Sequence, residues 1–447
     1  MTEGSIFKTL LTFSLPMIII NVVQLLFHSA DVAVLGIMAD DADVAAVGAC
    51  GSLISMLLCI FTGYASAANV IVAKRVGAQD KEGARRATGV AILMGLASGL
   101  ILMTVTVIFA RHFLIMTNCQ PEILELATIY MRIYFLGMPF MMLYNFIASV
   151  LRATGDSLRP MIYMISSGVI NVILNIVFVG FLNLAVAGVA LATVISNFAA
   201  MVAALIALAR NKGYCKIELK NLRFRKEEFF EMIRIGIPSC LGGIFFYMGE
   251  VVVVSSVNAV SADAMTANAI SSQLDRFNYC VGHSIASAAG VMISQNVGSC
   301  KLDRVPKIMN VTAVYITSLT LALGTVIVLL ATPLLSLFTD SSAVVELAKE
   351  RLVLVSLTNF TSCSMEIMSG AVRALKRPMS VGVVGLACGL LIRGLWALFI
   401  FTPGQSLAVL FVSFPLSSFV AIIIYTFIYR GAMKSMKATL QETKCAV

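Results

Sequence analysis

Residues 10–38 read LLTFSLPMIIINVVQLLFHSADVAVLGIM, a run with no lysine or arginine and a single acid, Asp31. A bilayer's hydrocarbon core is about 30 Å thick and takes roughly 20 apolar residues to cross as helix, so this run is long enough to span. Its apolar positions are continuous instead of alternating with period two, which excludes a porin-like barrel strand. Met1 to Lys8 leads straight into the run with no small-residue cleavage site, so the segment is expected to stay in the protein as a span.

The same kind of run recurs along the chain. Apolar stretches between charge or turn clusters predict helices near 10–38, 46–72, 87–110, 123–150, 160–182, 184–209, 232–258, 264–296, 308–331, 344–372, 379–402 and 405–429. With 447 residues, 59% hydrophobic and 12% charged, and a mean hydropathy of +0.95, too little polarity is present to cover a soluble surface. The expected fold is an all-α polytopic membrane protein with twelve transmembrane helices, its partner the lipid bilayer.

A net charge of +9 would suggest nucleic acid in a soluble chain, but here the cations fall in short loops. If the amino terminus is cytoplasmic, inner loops carry Lys74, Arg75, Lys81, Arg85 and Arg86, then Arg152 and Arg159, then Lys301, Arg304 and Lys307, then Arg373, Lys376 and Arg377. Outer loops offer only Arg111, Lys349 and Arg351, against acids such as Asp40, Asp41, Asp43, Glu122 and Glu125. Positive-inside counting places both termini in the cytoplasm, and the tail with Arg430, Lys434, Lys437 and Lys444 agrees. No nucleic-acid partner is expected. The ten cysteines, Cys59 and Cys445 included, show no metal-ligand spacing and read as small apolar residues.

The longest polar interval, Arg210 to Arg234, holds Lys212, Lys220 and Glu218 among its charges and divides the chain into halves that repeat. Ser14-Leu15-Pro16 pairs with Gly236-Ile237-Pro238, Val76-Gly77-Ala78 with Val297-Gly298-Ser299, and Arg159-Pro160-Met161 with Arg377-Pro378-Met379. Six helices per half predict two parallel six-helix lobes with pseudo-two-fold symmetry, as in one group of alternating-access transporters. The expected boundaries are 1–209 for the first lobe, 210–231 for a cytoplasmic linker and 232–447 for the second lobe and tail.

These landmarks resemble the MATE (multidrug and toxic compound extrusion) family over essentially the whole chain. The resemblance rests on Pro16, Ala30-Asp31 and Leu35-Gly36 in helix 1, and on Val72-Ala73-Lys74-Arg75-Val76-Gly77-Ala78 closing helix 2. Leu151-Arg152-Ala153-Thr154-Gly155-Asp156 after helix 4, Ile293-Ser294-Gln295-Asn296-Val297-Gly298 and Ala371-Val372-Arg373 complete it. Membership implies a secondary antiporter that exports organic, cationic compounds in exchange for H+ or Na+, in a bacterial plasma membrane, acting as a monomer without a cofactor. Within the wider group, a flippase for a lipid-linked oligosaccharide or phospholipid is the alternative.

Asp31 lies about seven apolar residues from the acidic outer loop, which places a carboxylate inside the membrane, where ionisable groups default to function. Low dielectric disfavours its charged form, so it suits a group that binds and releases a proton or a sodium ion; the other reading is an acid bonded to neighbouring amides. The resemblance implies ion coupling at Asp31. Asn171 and Asn175, at i,i+4, put two amides on one face of helix 5, and Thr193 follows on helix 6. Together they resemble the family's amino-lobe polar site, although some proton-coupled members carry a second aspartate where Asn175 stands; interhelical amide packing is the other reading. His28, one turn before Asp31, either tunes its proton affinity or is a bonded core histidine. Pro16 is the candidate hinge of helix 1, and no metal site is expected beyond a sodium ion at Asp31.

In the second half Glu250, Asp275 and Glu366 sit in apolar or small-residue stretches and are candidates either for substrate or for structural ion pairs. Arg276, Arg393 and Arg132 are the clear intramembrane cations. Met142, Tyr144 and Tyr247 are candidate cavity liners. No Walker A, H-E-x-x-H or G-x-S-x-G pattern is present, so enzymatic chemistry lacks candidates.

Overall fold

The computed structural model describes every residue except 118, 211–212, 217–221, 403–404 and 446–447, together with the side chains of all but 28, 32, 41, 52, 59–62 and 442–445. Lys212, Glu218 and Lys220, and the side chains of His28, Asp41, Cys59, Lys444 and Cys445, therefore lie outside the described set. The described chain is helical, with no strand among these residues.

Twelve spans follow in order. They are α1 (Ile6–Met38), α2 (Asp41–Gly77), α3 (Lys81–Met116), and α4, made of Leu124–Leu136 and Met138–Ala153 with a 45° bend between them. Next come α5 (Leu158–Asn175, continued by a π-helical turn Ile176–Phe181), α6 (Ala185–Ala209), α7 (Lys226–Asn258), α8 (Ala262–Gly298) and α9 (Arg304–Leu329). The last three are α10 (Ser342–Ala374), α11 (Met379–Val384, then π-helical over Gly385–Ile392 and Trp396–Ile400) and α12 (Leu407–Phe411, then Ser413–Cys445). Ten are long and apolar enough to cross a membrane and the bent α4 is an eleventh. The remaining span, α8, has 37 residues but carries Asn268, Ser271, Asp275, Arg276 and Asn278, so its apolar average falls.

Most helices start earlier than the apolar runs suggest, and several of these starts are capped by polar residues. Asp80 Oδ1 accepts the Gly83 backbone N–H at 2.8 Å at the start of α3, and Ser261 Oγ accepts that of Ala264 at 3.0 Å at the start of α8. The stretch expected as a linker, 210–231, is already helical from Lys226.

The repeat survives in backbone detail. Helices α1 and α7 are both 33 residues long and start 220 residues apart, and α2 and α8 are both 37 residues long with starts 221 apart. Turns at matching register agree as well: after α2 and α8, Gln79 and Cys300 have φ of 58° and 59°, and after α4 and α10, Gly155 and Lys376 have φ of 96° and 63°. Left-handed backbone costs non-glycine residues energy. Its recurrence at the same register therefore reflects one turn design used twice.

The chain divides into two compact units, Ile19–Ile233 and Met1–Ile18 with Arg234–Val447. These boundaries fall inside α1, two residues after Pro16, and inside α7, instead of in the polar interval. The core of the amino-terminal unit (19–233) includes Leu35, Cys50, Leu53, Phe135, Met138 and Val189. The carboxy-terminal unit has separate clusters around Val253, Val257 and Phe411, and around Met365, Val384 and Tyr425. In the latter unit the first residues are tied down: Lys301 Nζ lies 2.9 Å from Glu3 Oε1, and Arg304 Nη2 donates to the Gly4 carbonyl at 3.1 Å. No disulfide joins the described cysteines.

Candidate functional site

In the amino-terminal unit, α1, α5 and α6 bring four polar side chains together inside an apolar bundle. Asp31 stands two turns before the end of α1 and is partly buried. Asn175 is fully buried at the last regular residue of α5, where the helix widens into its π-helical turn. Such turns shift the register of side chains and recur at functional sites.

The four groups form a directed chain of hydrogen bonds. Asn175 Nδ2 donates to Asp31 Oδ1 at 2.6 Å and to Asn171 Oδ1 at 3.3 Å. Asn171 Nδ2 donates to Thr193 Oγ1 at 3.3 Å, and Thr193 Oγ1 donates to the Val189 carbonyl at 3.0 Å. The Asn175 carbonyl oxygen is buried with no donor among the described residues. The rings of Tyr130 and Tyr134, 5.7 Å apart on α4, lie close enough for the Asp31 charge to reach them.

Close helix approach makes this meeting possible. Gly168, seven residues before Asn175 on α5, faces the Phe27 ring of α1, and a Cβ there would overlap it. Phe27 is one turn before Asp31, so the missing side chain at Gly168 lets α1 and α5 approach within reach of the Asp31 and Asn175 side chains. A lone glycine in an apolar run gives the sequence reader no such signal.

Asp31 differs from the other acids in its electrostatics. Among the described residues no cation compensates its charge, and its polar partner there is Asn175. A buried charge without a counter-charge is costly, so this carboxylate has room for a proton or a small cation as its missing partner. Three or more clustered His, Cys, Asp or Glu side chains able to hold a metal do not occur among the described residues.

The remaining candidates are placed differently. Met142 and Tyr144 are packed core residues, 2% and 5% exposed, and the Tyr144 hydroxyl donates to the Pro160 carbonyl at 2.9 Å, so neither faces open space. Pro16 lies inside an uninterrupted α1. Tyr247 is partly buried on α7, and Glu366 is partly buried on α10. Glu250 and Arg276 are exposed, contrary to the burial expected from their apolar stretches. Asp275 is buried, accepts from Ser356 Oγ at 3.0 Å and feels the charge of Arg351. Arg351 itself corrects the outer-loop reading: it lies in the third turn of α10 and is 7% exposed, its guanidinium 5.7 Å from the Phe411 ring centre. The signal was available in the run expected at 344–372, which already contains Arg351, and in Ser341, whose hydroxyl caps α10.

A family model, MatE, matches residues 16–177 and 238–396, well over half of the chain and once in each half. The chain belongs to the MatE family. The MatE chain is 26% identical to the probable multidrug resistance protein YoeA of Bacillus subtilis over 385 residues, 83% of this chain and 82% of that one. It is 25% identical to the multidrug export protein MepA of Staphylococcus aureus over 346 residues, 77% and 76% of the two chains. Its fold matches that of a MATE crystal structure in the bent conformation with a TM-score of 0.90, at 19% identity and 98% coverage of both chains. This MatE chain is thus a polytopic membrane transporter with twelve helices in two lobes.

Proposed function

We propose that this transporter exports organic cations in exchange for a proton or sodium ion moving inward, with Asp31 as the group that binds the ion. The observation that carries the reading is the Asp31 carboxylate, held by Asn175 at 2.6 Å with no compensating cation among the described residues. The names of YoeA and MepA, both multidrug proteins, support the cargo class.

Ionised Asp31 accepts the Asn175 N–H; once it takes up a proton it becomes a donor itself. The donorless Asn175 carbonyl is then a ready acceptor after rotation of the amide, and Asn171 and Thr193 hold the amide chain in place. A sodium ion would use the same oxygens, those of Asp31, Asn171, Asn175 and Thr193. Either ion drives export only by binding one conformation more tightly than the other, and a carboxylate whose hydration and amide partners change between states supplies that difference. The family fold and both relatives support a bacterial plasma membrane, and the charge distribution supports cytoplasmic termini.

The test is efflux of a fluorescent cationic dye from liposomes containing the protein, under an imposed proton gradient and separately a sodium gradient. Export under one gradient, abolished in Asp31→Asn, is the expected result. Gradient-driven export retained by a folded Asp31→Asn protein overturns the assignment.

A further inference from the structure

One charged side chain on the apolar outside of the amino-terminal unit has no part in the Asp31 site. Arg132 of α4 is exposed. Ile129 and Leu136, its neighbours on the same helical face, are 45% and 50% exposed, and on α3 Val105, Ile108 and Phe109 are 39 to 59% exposed. The other face of α4, with Tyr130 and Phe135, is packed into the unit. In a membrane protein an outward surface this apolar meets hydrocarbon.

The guanidinium is held in the middle of that surface. Arg132 Nε donates to the Val107 carbonyl of α3 at 3.3 Å. Arg132 comes eight residues after Leu124, and Val107 nine residues before Met116. At about 1.5 Å per residue, both lie about 12 to 14 Å in from the helix ends that flank the α3–α4 turn. An unattached arginine on a lipid-facing helix extends along it towards the interface. This one reaches sideways to the neighbouring helix and stays at the level of Val107.

No acid balances the charge. Among the described residues no carboxylate lies within 4.0 Å of Arg132, and neither Nη nitrogen has a hydrogen bond. Glu125, two turns nearer the helix end, is paired with Arg111 at 3.6 Å. Nor does the fold require a cation here. By the 221-residue repeat Arg132 answers to Val353 of α10, an apolar residue that is 44% exposed. The second half builds the corresponding helix without a charge, so the arginine answers to something that α4 meets.

An ionisable group at membrane depth is costly and is retained where it finds a partner. The anion that every bilayer presents beside such a surface is lipid phosphate, whose two free oxygens a guanidinium meets with parallel N–H···O bonds; the Nε bond to Val107 leaves the Nη pair for them. A soluble anion would have to shed its water among Ile129, Leu136 and Ile108, whereas the chains of a lipid cover those residues. We propose that Arg132 binds the phosphate of a phospholipid from the leaflet at the α3–α4 turn, with its acyl chains lying along Ile129, Leu136 and the exposed face of α3. The lipid is a fixed partner of the helix pair, and its binding does not depend on the role of Asp31.

A local reporter tests this. Ile129→Trp in a Trp396→Phe chain leaves one tryptophan, placed on this face. The protein is reconstituted in bilayers of an uncharged, phosphate-free glycolipid containing a small fraction of phosphatidylglycerol with brominated chains, which quench tryptophan on contact. The expected result is quenching as though the phospholipid were roughly tenfold enriched beside the tryptophan, the scale of one charge-assisted pair. Enrichment falls to about one in Arg132→Gln and returns in part in Arg132→Lys, which keeps the charge without the fork. Brominated glycolipid quenches all three alike and controls for folding and placement. Unenriched quenching in the chain that keeps Arg132, or enrichment indifferent to Arg132→Gln, overturns the proposal. Enrichment erased by millimolar inorganic phosphate at constant ionic strength assigns the guanidinium to a soluble anion and also overturns it. A second measurement needs no reporter: phospholipid retained through detergent purification, counted per protein by mass spectrometry, falls by one in Arg132→Gln, and equal counts contradict the site.

Discussion

The Asn175 amide nitrogen lies 2.6 Å from a carboxylate oxygen of Asp31, and the carbonyl oxygen of the same amide is buried without a donor among the described residues. The bond stabilises the ionised carboxylate. Removing it in Asn175→Leu favours the neutral form, so the proton is released only at higher pH. A hydrogen bond to a charged group is worth about 1.5–3 kcal/mol, which corresponds to roughly one to two pH units. The pH profile of dye export should move upward by about that much, and an unmoved profile would separate Asn175 from the ionisation of Asp31.

Gly168 and Phe27 set the approach of α1 to α5. Gly168→Val should lower the thermal midpoint of the detergent-solubilised protein and depress export, because the ring has nowhere to go. Phe27→Ala in the same chain should restore part of both. A single Gly168→Val variant with wild-type stability and export would show that the close approach is dispensable.

Glu228, 6% exposed in the first turn of α7, accepts from Arg86 Nε of α3 at 2.9 Å, and Arg75 Nη2 lies 3.6 Å from Glu231. Polar as it looks in sequence, this start of α7 is anchored to the helices of the amino-terminal unit. Glu228→Ala leaves Arg86 without its partner and should cost about 1–3 kcal/mol. A double-mutant cycle with Arg86→Ala checks it: the coupling should be a large part of the single-variant loss, and strict additivity would deny the pair.

Glu3 is fully exposed, and the Lys301 ammonium bonded to it holds its carboxyl below the ordinary carboxylate value. A group depressed on docking stabilises the docked state above its ordinary pKa and loses that contribution as pH falls through the docked value. Amide exchange of residues 2–6, corrected for its intrinsic pH dependence, should therefore accelerate on acidification below about pH 4. Lys301→Ala should show the fast exchange already at neutral pH.

Much of this was legible in the amino-acid sequence, for physical reasons. Continuous apolar runs mark spans, and the repeat shows in Pro16 and Pro238 and in the glycine turns, because each half solves the same folding problem. Asn171 and Asn175 fall on one face by helical periodicity, and the structure brings them to Asp31 and Thr193. What stayed hidden depends on where side chains point once helices pack. Tyr144 and Met142 look like cavity liners but turn into the core, and Glu250 is exposed although its stretch is apolar. Arg351 sits inside α10, within the run expected at 344–372, and its charge hid how deeply that position is packed. The π-helical turns of α5 and α11 also leave no mark in the apolar pattern.

The central claim, that cargo and ion compete through Asp31, is tested most directly by ion release on cargo binding, since linkage requires each ligand to weaken the other equally. A cationic dye is added to purified protein in weakly buffered solution while proton release is recorded, and in a second arm sodium activity is followed. The account predicts release of one of the two ions in proportion to bound dye in wild type and none in Asp31→Asn. Dye binding by wild type with no release of either ion, or equal release from the Asp31→Asn protein, would contradict it.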